Sequence, residues 1–334
     1  MSPHPAGTLL GLGVLDPVLE ASLLRGMDGV ESSLRAAIRS DYPFVTEASR
    51  HLVEAGGKRF RPLLVLLASQ FGDPEAPGVV PSAVVVELTH LATLYHDDVM
   101  DEAHMRRGAE SANARWDNTV AILTGDFLFS RASDILADLG PEAVRIQART
   151  FERLCTGLIR ETVGPEPGAD PVDHHLRVLA DKTGSLIATS GRFGALMSGA
   201  EPRVVDVLTE FGERIGVAFQ LADDIVDIAS DSSESGKTPG TDLREGVPTL
   251  AGLIALSAMS SEDRLAELLV RPLPDDGEHA EALTLLRAHP ALDQARVEAR
   301  RWADGARESL KELPANSARD ALESMCDYVV TRTG

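Results

Sequence analysis

Apolar residues recur every three or four positions through most of this chain, and that spacing commits it to helices before anything else is read. Leu63, Leu66 and Leu67 with Phe71 make one such stripe, and Ile215 and Phe219 with Ala222 and Val226 make another. Long runs of alternating β-branched residues are missing, aromatics amount to only 4%, and Ala and Leu are plentiful, all of which favours helices over sheets. The expected fold class is all-α. Among the 334 residues the clearest breaks are Gly/Pro-rich stretches at 72–81, 164–171 and 271–277, each the length of a loop between helices. A single domain over residues 1–334 follows as the expectation. Ser230 to Gly246 is a different case: this run, dense in Ser, Asp and Gly, predicts no helix and reads as a mobile lid.

The formal net charge of -20 argues against nucleic acid as a partner, because a phosphate backbone would be repelled by most of the surface. Small anions held in a local basic pocket stay compatible with it. Cys155 and Cys326 stand in unrelated contexts and suggest neither a disulfide framework nor a metal site. The N-terminal apolar stretch Leu9 to Leu15 is broken by glycines and follows no basic segment, so a cytoplasmic location is expected.

Function is carried by a short motif that occurs twice. Asp97, Asp98 and Asp101 form DDVMD, and Asp223, Asp224 and Asp227 form DDIVD. Residues three and four apart share a helix face, so each copy makes a patch of crowded carboxylates. Both patches lie toward helix C-termini, the first running into Arg106, Arg107 and Gly108 as a helix stop, and there the macrodipole disfavours negative charge. One such patch is as readily a solvated acidic face. Two identical ones call for cations, and carboxylates without His or Cys suit Mg²⁺, which also binds substrate phosphates. A diphosphate bridged by several Mg²⁺ ions is the implied ligand.

Clustered bases in so acidic a chain point the same way. Lys58, Arg59 and Arg61 open a helix within GGKRFRP, where free backbone N–H groups favour an anion. Arg106 and Arg107 directly follow the first triad, Lys182 follows Asp181, and Lys237 lies within the predicted lid.

With these motifs, and with GDFLFSRAS, DKTGSL and GKTPGTDLREG, the segment from about Gly56 to Leu250 resembles the trans-type polyprenyl diphosphate synthases of the bacterial medium- and long-chain type. The resemblance implies an all-α helical bundle around a deep central cavity, usually a homodimer, with about three Mg²⁺ ions in the active site. It implies Asp97, Asp101 and Asp223 as foremost metal ligands, with Asp98, Asp224 and Asp227 in support. Arg106, Lys182 and Lys237 would hold an allylic diphosphate of C10 to C20, joined by Thr183 and Gln220. Lys58, Arg61, His90 and Arg107 would hold isopentenyl diphosphate. The implied reaction ionises the allylic diphosphate and joins the resulting cation to isopentenyl diphosphate, with peripheral membrane association for product release. Three departures from the family pattern stand out: Leu158 in place of Gln, Val247 in place of Lys, and His174-His175 where Tyr is common.

Product length follows from the helix that ends in the first triad. Its face at Asp97 runs back through Thr93, His90, Thr89 and Val86. Short-chain members carry large aromatics four or five residues before the first aspartate, and here those positions hold Thr93 and Ala92. Small residues there extend a cavity by a helical turn, about 5.4 Å, or more, so a product longer than C20, of C30 to C50, is expected. A C20 synthase, a class I terpene cyclase and a non-catalytic partner subunit remain the alternatives. Glu87 and His90 also spell an ExxH, but the second one that a di-iron site needs is missing. DEAH at Asp101–His104 and Gly236-Lys237-Thr238 imitate nucleotide-binding motifs in reversed order, with Asp231 where the first P-loop glycine belongs.

Overall fold

The computed structural model describes residues 15–230 and 239–331, and helices dominate it as the periodicity predicts. In chain order they are α1 (Pro17–Ala37), α2 (Pro43–Glu54), α3 (Phe60–Ser69), α4 (Val79–Met100), α5 (Ala112–Arg115), α6 (Asn118–Leu139), α7 (Pro141–Val163) and α8 (Pro171–Leu179). A single π-helical turn, Ala180–Gly184, leads into α9 (Ser185–Met197), followed by α10 (Pro202–Ala229), α11 (Thr241–Glu245), α12 (Leu250–Ala258), α13 (Arg264–Leu269), α14 (Asp276–Ala288), α15 (Ala291–Leu310) and α16 (Ser317–Thr331). Ends are marked by ordinary capping chemistry: before α1, Asp16 accepts from the N–H groups of Val18 and Leu19 at 3.0 and 3.1 Å, with Pro17 at the first helical position.

The chain divides into two compact units. The first comprises the residues up to Phe151 together with Leu186–Thr209 and Glu312–Leu322. Its centre is α4, which buries side chains on every face, from Val79 and Val84 through Leu88 to Tyr95, as a helix enclosed by others must. It packs most extensively on α6, and α1 and α3 also lie against it. On α9, Gly194 lets the backbone of α3 approach so closely that an added Cβ would sit 2.1 Å from the Val65 carbonyl oxygen.

The second unit comprises Glu152–Ser185, Glu210–Lys311 and the residues from Glu323 onward. Val217, Leu221, Ile225 and Ile228 of α10 share a core with Leu250 and Ala255 of α12 and with Leu292, Ala295 and Ala299 of α15.

Two sequence expectations are corrected. Arg106-Arg107-Gly108 does not stop a helix: α4 ends earlier, capped by Asp101, and the arginines belong to a small hairpin in which Met105 pairs with Glu110 and Arg106 with Ala109. Its two central residues, Arg107 and Gly108, have φ of 54° and 76°, the positive values that a tight two-residue hairpin turn requires. The Ser230–Gly246 run was expected to hold no helix, yet α11 forms within it. Tertiary contacts supply what local propensity lacks. The Gly240 N–H donates to the Asp227 carbonyl at 2.8 Å, the Gly240 carbonyl lies 2.8 Å from His279 Nε2, and Leu243 is buried. Lys237 lies outside the described residues.

Candidate active site

The last turn of α4 delivers the first aspartate set. Asp98 is fully buried and accepts from Arg106 Nε at 2.5 Å, while Arg106 Nη2 lies 3.7 Å from Asp101. Burial lifts the Asp98 carboxyl above its usual range, against the pull of the Arg106 guanidinium. Its second oxygen, Oδ2, has no hydrogen-bond partner among the described residues. Asp97 is half-buried.

The neighbouring arginine is sent elsewhere. Arg107 Nη1 donates to the Leu52 carbonyl at 3.0 Å and to the Gly56 carbonyl, both at the C-terminal end of α2. The basic run before α3 is likewise split. Arg59 is buried, donating to Glu31 at 2.6 Å, to Glu87 at 2.9 Å and to the Val53 carbonyl at 3.1 Å, while Lys58 is exposed and Arg61 half-buried. Glu87 is thereby an ion-pair partner and not half of an ExxH metal site. His90 is held neutral, its pKa driven well below the usual value by burial and by the guanidiniums of Arg61, Arg107, Arg59 and Arg106. Of the three cations and the imidazole expected to act together at isopentenyl diphosphate, Arg61 and Arg107 are therefore within electrostatic reach of His90, and Lys58 is exposed.

Along the same helix, Thr93 is half-buried and its hydroxyl donates back to the His90 carbonyl at 2.8 Å. Ala92 is buried, and on α6 a Cβ added at Gly125 would lie 3.1 Å from the Ala92 carbonyl oxygen. One turn earlier the Thr89 hydroxyl accepts from Gln147 of α7 at 2.8 Å.

The second aspartate set forms the last two turns of α10. Thr183 donates to the Gln220 side-chain oxygen at 3.1 Å, and the Gln220 amide donates to Asp224 at 3.0 Å. Burial, with Asp223 and Asp227 adding repulsion, pushes the Asp224 carboxyl up to about 7. A fourth carboxylate joins: the Asp242 N–H donates to Asp227 Oδ2 at 3.2 Å, and burial together with Asp224 and Asp227 raises the Asp242 side chain to about 8. Lys182 opposes both shifts and is itself tied to Glu161 at 2.7 Å.

Lys182 and Thr183 stand on the π turn, a rare widening of the helix that occurs preferentially at functional sites. Arg153 holds that turn, donating to Asp181 at 2.9 Å and to the Ala180 carbonyl at 3.3 Å while pairing with Glu213, and Arg160 adds a bond to Asp181 at 2.5 Å. Gly157 makes room, since an added Cβ would lie 2.8 Å from the Lys182 nitrogen. Of the three departures, Leu158 is half-buried beside Gly157, Val247 donates its N–H to the Asp242 carbonyl at 2.8 Å, and His174 Nε2 lies 3.1 Å from the Arg160 carbonyl. His175 approaches Asp224 to 3.9 Å, but burial and His174 bring its pKa down to about 4, so the contact is between a neutral ring and a carboxyl and not an ion pair.

Asp242, Arg153 and Glu213 escaped sequence reasoning, as did the role of Asp181. Asp242 lies fifteen positions beyond Asp227, outside any helical spacing, although it falls inside a quoted motif. The others come from three different helical segments and share no pattern. Among the described residues, no three His, Cys, Asp or Glu side chains converge so as to hold a metal unaided. A cleft of about 800 Å³ beside α2, lined by Arg39, Arg50, His51 and Arg115 among others, contains none of the predicted site residues.

Comparison with known proteins bears on this chemistry. A polyprenyl synthetase family model matches residues 42–286. The chain belongs to the polyprenyl synthetase family. Members of that family are prenyltransferases, and this chain is 48% identical to the nonaprenyl diphosphate synthase of Mycobacterium tuberculosis, with 99% of each chain covered. Among solved family structures, the geranylgeranyl pyrophosphate synthase of Corynebacterium glutamicum, complexed with calcium and isoprenyl diphosphate, is 46% identical with a TM-score of 0.83, covering 96% of this chain and 98% of that one. The decaprenyl diphosphate synthase of Rhodobacter capsulatus is 34% identical with a TM-score of 0.86, covering 95% and 99%. The all-α family fold agrees with the sequence expectation.

Proposed function

We propose that this enzyme condenses isopentenyl diphosphate with an allylic diphosphate to give a linear all-trans polyprenyl diphosphate longer than C20. The observation that carries the reading is the second aspartate set. Asp224, raised to about 7 near the C-terminal end of α10, and Asp242, raised to about 8 by burial beside Asp224 and Asp227, are groups whose charged forms need a cation beside them. An all-oxygen donor set fits Mg²⁺. Mg²⁺ keeps waters and binds through one or two carboxylates plus substrate phosphates. We assign the metal to Asp97, Asp101 and Asp223, with Asp98, Asp224 and Asp227 in support, and about three ions. When bound, Mg²⁺ supplies charge stabilisation to the departing diphosphate.

In this reading Arg106, Lys182, Thr183 and Gln220 hold the allylic diphosphate, with Lys237 added from the motif. Arg106 would exchange its bond with Asp98 for the phosphate, and Lys182 its bond with Glu161. As the allylic C–O bond breaks, these cations meet charge developing on the leaving group, where preorganised donors lower a barrier most. Lys58, Arg61, His90 and Arg107 hold isopentenyl diphosphate while its double bond attacks the allylic cation. A proton then leaves to the released diphosphate. Neutral His90 donates a hydrogen bond and does not act as an acid.

Small Ala92 and Thr93 and the nonaprenyl relative support a C30 to C50 product. The geranylgeranyl relative at 46% identity favours C20 as the second reading. We further propose that the chain works as one domain and as a cytoplasmic homodimer, for which the exposed apolar side chains of Ile122, Leu123, Val144 and Phe151 are candidates for burial, and that it releases product at a membrane surface. Among the described residues no helix is long and apolar enough to cross a membrane.

The test is an assay with labelled isopentenyl diphosphate and C10, C15 or C20 primers, with products sized after dephosphorylation. Linear products beyond C20 that vanish with chelator are expected, and Thr93→Phe should shorten them. Products ending at C20 would keep the reaction and overturn the length, while no condensation with any primer would overturn both.

A further inference from the structure

Tyr95 has no solvent exposure, yet its hydroxyl is fully used. It donates to the Ala48 carbonyl at 2.5 Å and accepts from the Leu52 N–H at 3.3 Å. Ala48 and Leu52 are four apart, the pair that one backbone rung of α2 joins. The phenol of α4 therefore bonds to both the carbonyl and the N–H of one rung of another helix and ties α4 to α2 at that point.

What lies beyond that rung is the seat of Arg107. The Leu52 and Gly56 carbonyls receive its Nη1, and Gly57 lies so close that an added Cβ would be 2.9 Å from the guanidinium carbon. Leu52 thus presents its N–H to Tyr95 and its carbonyl to Arg107. The sequence places Tyr95 two residues before the first aspartate, where its ring alone reads as core.

We propose that Tyr95 is a positioning residue for isopentenyl diphosphate, acting through Leu52 to fix the seat of Arg107. The proposal rests on the prenyltransferase reading and on Arg107 as a ligand of that substrate. A tyrosine that only fills the core would, once lost, change stability or affect both substrates alike. A positioning hydroxyl changes one substrate.

The experiment is a kinetic cycle on the full-length enzyme: wild type, Tyr95→Phe, Arg107→Lys and the double variant, each with isopentenyl diphosphate varied at saturating primer and the reverse. Loss of the Tyr95 hydroxyl with its two buried hydrogen bonds should raise the KM for isopentenyl diphosphate about two- to tenfold, leave the KM for the primer within about twofold, and have no added effect once Arg107 is lysine. Equal shifts in both KM values, no shift in either, or independent effects in the double variant would overturn it. Should Tyr95→Phe fail to fold, Gly57→Ala disturbs the same seat from outside the core. It should raise the same KM, and an unchanged value would overturn the proposal. Wild-type enzyme that performs no condensation would overturn the functional reading separately. Titration calorimetry with isopentenyl diphosphate alone then decides the seat, weaker binding by Tyr95→Phe supporting it and equal binding overturning it.

Discussion

Arg153 grips Glu213 with both terminal nitrogens of its guanidinium, one of them at 3.0 Å. The same side chain reaches Asp181 and the Ala180 carbonyl, so one planar fork joins α10 to the π turn that carries Lys182 and Thr183. Lysine cannot reproduce a bidentate fork. Arg153→Lys should raise the KM for the allylic diphosphate about tenfold and that for isopentenyl diphosphate much less. The side chain is 40% exposed, so the stability loss should be only about 1 kcal/mol. Steady-state kinetics with each substrate varied, alongside urea unfolding, measures both, and equal KM shifts would count against a role in holding the turn.

The Arg59 ion pair is the opposite case. Its side chain and that of Glu87 are 7% and 2% exposed, and removing one partner strands a buried charge. Arg59→Met should destabilise the protein by about 3–5 kcal/mol. Arg59→Met combined with Glu87→Met should recover most of that loss in urea unfolding, since neither charge is then left alone.

His90 gives a pH dependence whose sign is fixed. Its folded pKa is depressed, so below the unfolded value, near 6.5, the unfolded chain binds a proton that the folded one refuses. Stability from this group is complete above about pH 6.5 and is lost as pH falls toward the folded pKa, at up to about 1.4 kcal/mol per pH unit. His90→Gln should flatten that part of the stability curve. Thermal or urea unfolding of the two proteins between pH 7 and 5 makes the comparison, and parallel curves would refute it.

The aspartates separate catalysis from folding. Asp97→Asn and Asp223→Asn should each lower kcat by about 10²-fold or more while circular dichroism and unfolding midpoints stay near those of the wild type. Both isosteric amides relieve repulsion in a carboxylate patch, so a large loss of stability would indicate that the triads are structural.

Much of this molecule is legible in its sequence. The stripe through Leu63, Leu66 and Leu67 lies buried on α3, and both aspartate triads end their helices as their spacing implies. The family motifs mark out Gln220 and Thr183, which the structure then joins to Asp224. What stayed hidden is non-local. No periodicity links Arg153 to Glu213 or Asp242 to Asp227, because such pairs are fixed by packing of segments far apart in sequence. Helix α11 was hidden for the same reason, its five residues being held by Asp227 and His279 and not by propensity. Arg59 shows the reverse error: a basic run reads as one cluster, but burial of one member among acidic partners removes it from the substrate's reach.

The hairpin at Arg107-Gly108 has a bearing on how this stretch can change over generations. Arg106 serves the aspartates and Arg107 the end of α2, two neighbours on opposite errands because Arg106 ends a strand while Arg107, at φ 54°, opens the turn. Inserting or deleting a single residue between Arg106 and Ala109 would break the two-residue turn and take both guanidiniums from their partners. Surface loops ordinarily drift in length, but here a one-residue slip would be a frameshift in three dimensions, so variation should arrive as exchanges of side chain at constant length.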